Sequence, residues 1–105
     1  MLALGKHVIC TYYSGHTEFV NEDVAHLVFP DAPEMAYDGV FFNGQVGEWA
    51  TLGEEQIGQI VLWMRHFHKK KREEGGLSNP YGTEHMRQFT WERSASCLLE
   101  AVYGA

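Results

Sequence analysis

A chain of 105 residues holds one domain with one modest core, and its 45% hydrophobic, 13% aromatic and 21% charged residues are those of a globular protein. With 8 basic against 14 acidic residues and a net charge of −6, it lacks the concentrated positive charge that a nucleic-acid partner requires. No stretch approaches the ~20 apolar residues of a transmembrane helix, and no basic-then-apolar leader opens the chain, so a cytoplasmic location is expected.

Taken in chain order, residues 1–5 read as the tail of a helix stopped by Gly5. His7–Thr11 has a β-branched centre and no polar alternation, the mark of a buried strand. Tyr12–His16, with Ser14-Gly15, reads as a loop, and Thr17 as the cap of a helical turn over Glu18–Glu22. Ala25–Phe29 is a second strand closed by Pro30. The spacing between the two strands suits a parallel crossover better than a hairpin. Residues 30–53 carry two prolines and four glycines and show no periodicity. Within them Val40-Phe41-Phe42 and Glu48-Trp49-Ala50 are short strand candidates, in a segment long enough to suggest a functional or partner-facing role.

The second half reads as helical. Glu54–Glu74 carries a stripe at Ile57, Ile60, Val61, Met64 and Phe67, with acidic residues at its start and Lys69–Arg72 at its end, complementing the helix dipole. Gly75-Gly76 ends it. Asn79-Pro80 opens a shorter helix through Gln88. Thr90 caps a last helix whose apolar face is Trp91, Ala95, Leu98, Leu99 and Val102.

Few residues suggest chemistry. No G-x-G-x-x-G, G-x-x-x-x-G-K-[ST] or H-E-x-x-H pattern occurs. His66 and His68 fall on different faces of a helix and cannot grip one metal. His7, His16, His26 and His85 are scattered, and Ser14 with His16 lacks a nucleophile elbow. Cys10 and Cys97 sit in apolar segments and read as reduced cysteines, with a disulfide between them as the competing reading; reduced cysteines fit a cytoplasmic compartment. The Lys69–Arg72 run reads as a solvated helix end, with an anion or membrane-surface patch as its competitor. No catalytic group, metal or cofactor is expected. Ligands of open parallel sheets bind beyond the carboxyl ends of strands, which singles out Thr11, Tyr12, Tyr13, Ser14 and Gly15. The same segment also reads as a plain connecting loop.

Residues 3–29 resemble a segment of the family 4 retaining glycosyltransferases. The matching positions include Gly5, Val8-Ile9, Thr11, Ser14-Gly15, Glu18-Phe19 and Glu22-Asp23. The end, Phe89-Thr90-Trp91 with Ala95 and Leu98-Leu99, is similar to that family's terminal F-[ST]-W-x-x-x-A-x-x-L-L helix. Between them, Gly47-Glu48-Trp49-Ala50 resembles a G-x-W-A-E-P-D motif, with Thr51-Leu52-Gly53 departing from its acidic end. His7 stands where that family has proline, and His16 where it often has asparagine.

The resemblance implies an α/β fold: residues 1–105 as a partial Rossmann-like (GT-B C-terminal) domain, with a short parallel sheet and C-terminal helices. It implies that the nucleotide-sugar donor lies against Thr11–Gly15. The family's Glu-x7-Glu pair, which holds the donor, aligns upstream of residue 1, so the chain is expected to be a truncated donor-binding domain, inactive alone. A non-catalytic protein that oligomerises or binds a partner is the competing expectation. In either case an unpaired strand edge and the terminal helix need cover, from a homodimer or from an N-terminal domain.

Overall fold

Strands β1 (Ile9–Thr11) and β2 (His26–Val28) run parallel, with Ile9 opposite His26, Cys10 opposite Leu27 and Thr11 opposite Val28. These relationships come from a computed structural model that describes residues 1–104. The chain between the strands is long enough to return for parallel pairing. Within it, Ser14–Glu18 forms a 3-10 helix, earlier than the turn predicted over Glu18–Glu22. Ser14 starts it in the left-handed region at φ 69°. The Thr17 hydroxyl then donates back to the Ser14 carbonyl at 2.7 Å, so it closes this turn instead of capping a later one.

Side chains alternate across the pair. Val8, Cys10 and Leu27 face one side, where Leu2, Val20, Val24, Ala25 and Met86 make up the core. His7, Ile9 and His26 face the other, toward helix α1 (Glu54–Glu74). The parallel pair is thus covered on both faces, as parallel strands require. The chain is mixed α/β, with a parallel sheet of only two strands and C-terminal helices.

Residues 30–53 correct the sequence reading. Strands β3 (Asp31–Tyr37) and β4 (Asn43–Thr51) form an antiparallel hairpin, a second sheet with no counterpart in the expectation. Val40-Phe41-Phe42 belongs to its turn, whereas Glu48-Trp49-Ala50 does lie in a strand. The irregular composition follows from the pairing. Pro33 sits where β3 slips register between Asp31 and Glu34, on a strand whose outer edge has no partner. Opposite Met35–Tyr37 the longer β4 carries extra residues, taken up by Gly44 and Gly47 at φ 78° and 86°. Asp38 fixes the turn, its carboxylate accepting N–H bonds from Val40, Phe41 and Phe42 at 2.8, 2.8 and 2.9 Å.

Helix α1 has the predicted bounds, ended by Gly75 at φ 71°. At its start the Gly53 N–H donates to the Gln56 side chain at 3.0 Å. Its packed face is rotated from the predicted stripe. Trp63 and Phe67 pack on His26, with ring centroids 4.2 and 4.7 Å away, while Ile57 and Met64 stay 52% and 60% exposed. Helix α2 (Pro80–Met86) stops short of Gln88 because tight-turn bonds from Arg87 to Glu84 and from Phe89 to Met86 close it. Helix α3 (Trp91–Tyr103) is capped by the Thr90 hydroxyl, 3.2 Å from the Arg93 N–H, and ends at Gly104 in the left-handed region. No residue of α3 is buried. The radius of gyration is 17.8 Å, where a compact chain of this length has about 13 Å.

Candidate functional site

The segment singled out by sequence lies at the carboxyl end of β1. Thr11 closes the strand. The His16 imidazole hydrogen-bonds its main-chain carbonyl, on the side of β1 away from β2. The Tyr12 N–H is held by the Val28 carbonyl at 2.9 Å, and the Tyr12 ring leans on Phe29 with centroids 5.4 Å apart. Tyr13 turns the other way and donates its hydroxyl to the Glu48 carbonyl of β4 at 3.3 Å, tying the loop to the hairpin. Ser14 occupies the left-handed region, a conformation uncommon for a residue with a Cβ. At Gly15 an added Cβ would meet nothing within 4 Å, so its surface is open.

The five residues are adjacent but do not converge. Tyr12 joins Asn21, Glu22, Asp23, Leu27 and Phe29 in an open groove of about 380 Å³ beside β2, from the segment that enters the strand to Phe29 just after it. A pair of aromatic rings beside carboxylates and an amide suits a hydroxyl-rich ligand, which donates to carboxylates and packs on rings. Asn21, Glu22, Asp23 and Phe29 were not among the candidates. Their signal was present, because Glu22-Asp23 fall within the resemblance and Phe29 ends the second strand.

Electrostatics limit what this end of the sheet does. The basic run Lys69–Arg72 belongs to the last turns of α1, which pack over His7 and His26 at the amino ends of the strands. It therefore stands at the opposite end from Thr11–Gly15, leaving a diphosphate there without these cations. Glycosyl transfer needs its leaving diphosphate stabilised by fixed positive charge.

The histidines sort into separate roles. His7 and His26 gather with Trp63 and Phe67 between α1 and the sheet, and His66 packs on the same two rings from the exposed side of α1. Burial, together with the positive charge of His7, His66 and Lys70, holds the His26 imidazole below its usual pKa. His85 bonds the Phe19 carbonyl at 3.0 Å. Among the described residues no group of His, Cys, Asp or Glu is arranged to hold a metal ion. Cys10 is half-buried and Cys97 exposed, both free, and burial raises the Cys10 thiol's pKa. No described helix is long and apolar enough to cross a membrane.

The outer edge of β1 completes the site. Val8 and Tyr12 bond to β2, so the period of two turns the N–H and C=O groups of Ile9 and Thr11 the other way. Beside that edge runs an apolar groove of about 420 Å³, bounded by Ile9, Met64, Phe67 and Leu77. Compared with known proteins, the chain matches no family model, no curated protein and no solved structure.

Proposed function

We propose that the chain is the C-terminal part of the donor-binding half of a nucleotide-sugar-dependent glycosyltransferase, a partial Rossmann-like domain of the GT-B kind. It supplies one wall of the donor site and no catalytic group. The observation that carries this reading is the outer edge of β1. A parallel strand with no strand on its outer edge, next to an apolar groove bordered by α1, has the profile of an interior strand waiting for its neighbour. A strand laid there would satisfy Ile9 and the Thr11 N–H, the Thr11 carbonyl being already held by His16, and cover Met64. The ordered resemblance at residues 3–29, 47–50 and 88–99 supplies the class of protein, and the groove of Tyr12, Phe29, Glu22 and Asp23 has the chemistry of a sugar subsite.

On this reading the donor's sugar and nucleotide approach Thr11–Gly15, while the groups that neutralise the diphosphate come from another domain. The isolated chain then binds nucleotide sugars weakly and turns over none. The test is an NMR titration with UDP-glucose and GDP-mannose, paired with a donor-hydrolysis assay. The expected result is shift changes confined to Thr11–Gly15 and the Tyr12–Phe29 groove, without hydrolysis. Shifts clustered on Lys69–Arg72, or turnover that survives purification, would overturn it. A second reading, a non-catalytic protein that works by association, is favoured by one feature, the uncovered face of α3.

A further inference from the structure

We propose that α3 is a self-association helix, and that two copies of this chain pair their α3 helices antiparallel about a twofold axis passing between Ser96 and Cys97. This inference goes beyond the donor-wall reading and does not depend on it.

Helix α3 is finished at both ends, by the Thr90 cap and by the Gly104 N–H donating to the Glu100 carbonyl at 2.8 Å. Arg93 adds a bond to the Gln88 carbonyl at 3.2 Å, fixing the helix to the turn before it. Yet its apolar stripe has no cover: Trp91 is 89% exposed, Leu98 64% and Val102 64%. A 13-residue helix without tertiary packing is marginal in water, so one this well capped and this bare needs a partner surface.

The stripe is complementary to itself. Antiparallel pairing about the Ser96–Cys97 midpoint sets Trp91 against Val102 and Ala95 against Leu98, each pair occurring twice. Large residues oppose smaller ones, the arrangement that lets facing helices approach closely. At 100° per residue Arg93 and Glu100 fall on the side away from the stripe, while Glu92 borders it beside Leu99, so the seam centre is free of charge and Glu92 stands at its rim. A heterologous partner has no reason to reproduce this symmetry.

The area agrees. The chain exposes 8197 Å², and a compact protein of its mass exposes about 6,000 Å². The excess, roughly 2,200 Å², is shared between α3 and other exposed elements such as the hairpin tip, and exceeds the ~800 Å² that each partner contributes to a stable interface. A lipid surface fits less well, because the polar side of α3 carries two glutamates against one arginine and the whole chain is at −6.

The test is sedimentation velocity of the intact chain from low to high micromolar concentration. A dimer is expected, with Leu98→Glu weakening association by roughly a hundredfold or more, because the substitution enters the seam twice. Leu98 is exposed in the single chain, so this variant keeps its fold, which the helical circular dichroism reports. Phe41→Glu, at the hairpin tip, leaves association unchanged. Orientation is read by mixing Ala95→Cys chains with Leu98→Cys chains, both lacking Cys10 and Cys97. Antiparallel pairing cross-links the mixture faster than either chain alone. A monomer at every concentration, as expected if α3 covers another domain instead, overturns the proposal. So does a Leu98→Glu chain that still dimerises, or Ala95→Cys chains that cross-link best to themselves.

Discussion

The side-chain amide of Asn79 donates to the main-chain carbonyl of Val24 at 2.8 Å, across 55 residues of chain. The same side chain accepts the Gly82 N–H at 3.1 Å, capping α2, while the Asn79 N–H reaches the Gly5 carbonyl at 2.9 Å. One buried residue thus fastens the N-terminal turn, the entry to β2 and the start of α2. Asn79→Ala removes a helix cap, worth about 1 kcal/mol, and orphans the buried Val24 carbonyl, which costs about 1–3 kcal/mol. Urea unfolding should show a loss of roughly 2–4 kcal/mol. Asn79→Asp retains the cap acceptor but sets a buried carboxylate oxygen against the Val24 carbonyl, and should lose at least as much as Asn79→Ala. A loss below about 0.5 kcal/mol for Asn79→Ala would place the weight of the fold elsewhere.

Two helical glycines should respond oppositely to alanine. Gly58 lies in α1 with nothing within 4 Å of an added Cβ, so Gly58→Ala should stabilise by up to about 1 kcal/mol through helix propensity. At Gly82 the new Cβ would stand 2.8 Å from Asn79 Nδ2 and 3.2 Å from Leu2. The Asn79 amide is already held, so it has no cheap way to move. Gly82→Ala should therefore destabilise despite the better propensity, by about 1–3 kcal/mol. Thermal melts of the two variants side by side give the signs.

The docking of α1 should weaken in acid. His26 is packed against Trp63 and Phe67, with His7, His66 and Lys70 nearby, and its pKa in the folded chain is lowered from 6.5 by burial first and by those charges second. Above pH 6.5 the ring is neutral whether α1 is docked or not, and the contact is intact. As pH falls through that value the undocked state takes up the proton more readily, so docking loses stability until the lower folded pKa is passed. Trp63 fluorescence should report release on acidification. His26→Phe, which keeps a ring and drops the titration, should flatten the response; an unchanged acid profile would assign it to other groups.

Local signals fixed most elements. Helix α1 lies between the residues its charges and glycines marked, and Thr90 caps α3 as its side chain suggested. The β1–β2 pair was legible because a buried strand announces itself by an uninterrupted apolar run. The β3–β4 hairpin was not, since its bulges demand Pro33, Gly44 and Gly47, the residues that erase a strand pattern. The face of α1 was also misread. Periodicity locates the apolar stripe but not the part of it that finds a partner, and Trp63 with His26 decided that. In the candidate site, Thr11–Gly15 was legible by position, whereas the Tyr12–Phe29 groove depends on a contact between two strand ends.

The last prediction separates a ligand loop from a mere connection. Gly15 follows Ser14, which already bears the left-handed conformation, and Gly15 itself shows no positive φ. Nothing in the folded chain therefore requires glycine there: a Cβ would meet no atom within 4 Å. If Thr11–Gly15 only connects β1 to β2, Gly15→Val should be silent in every measurement. If a nucleotide sugar lies against the loop, the branched side chain occupies the space in which the ligand approaches the backbone, and binding should weaken by about tenfold or more at unchanged melting temperature. Ser14→Gly is the companion variant. It relieves the backbone cost of a Cβ in that region, about 1–2 kcal/mol before the entropy of glycine is set against it, and should leave binding intact. Calorimetric titration and melting curves on both variants decide the matter. Equal binding by wild type and Gly15→Val would remove the loop from the donor site.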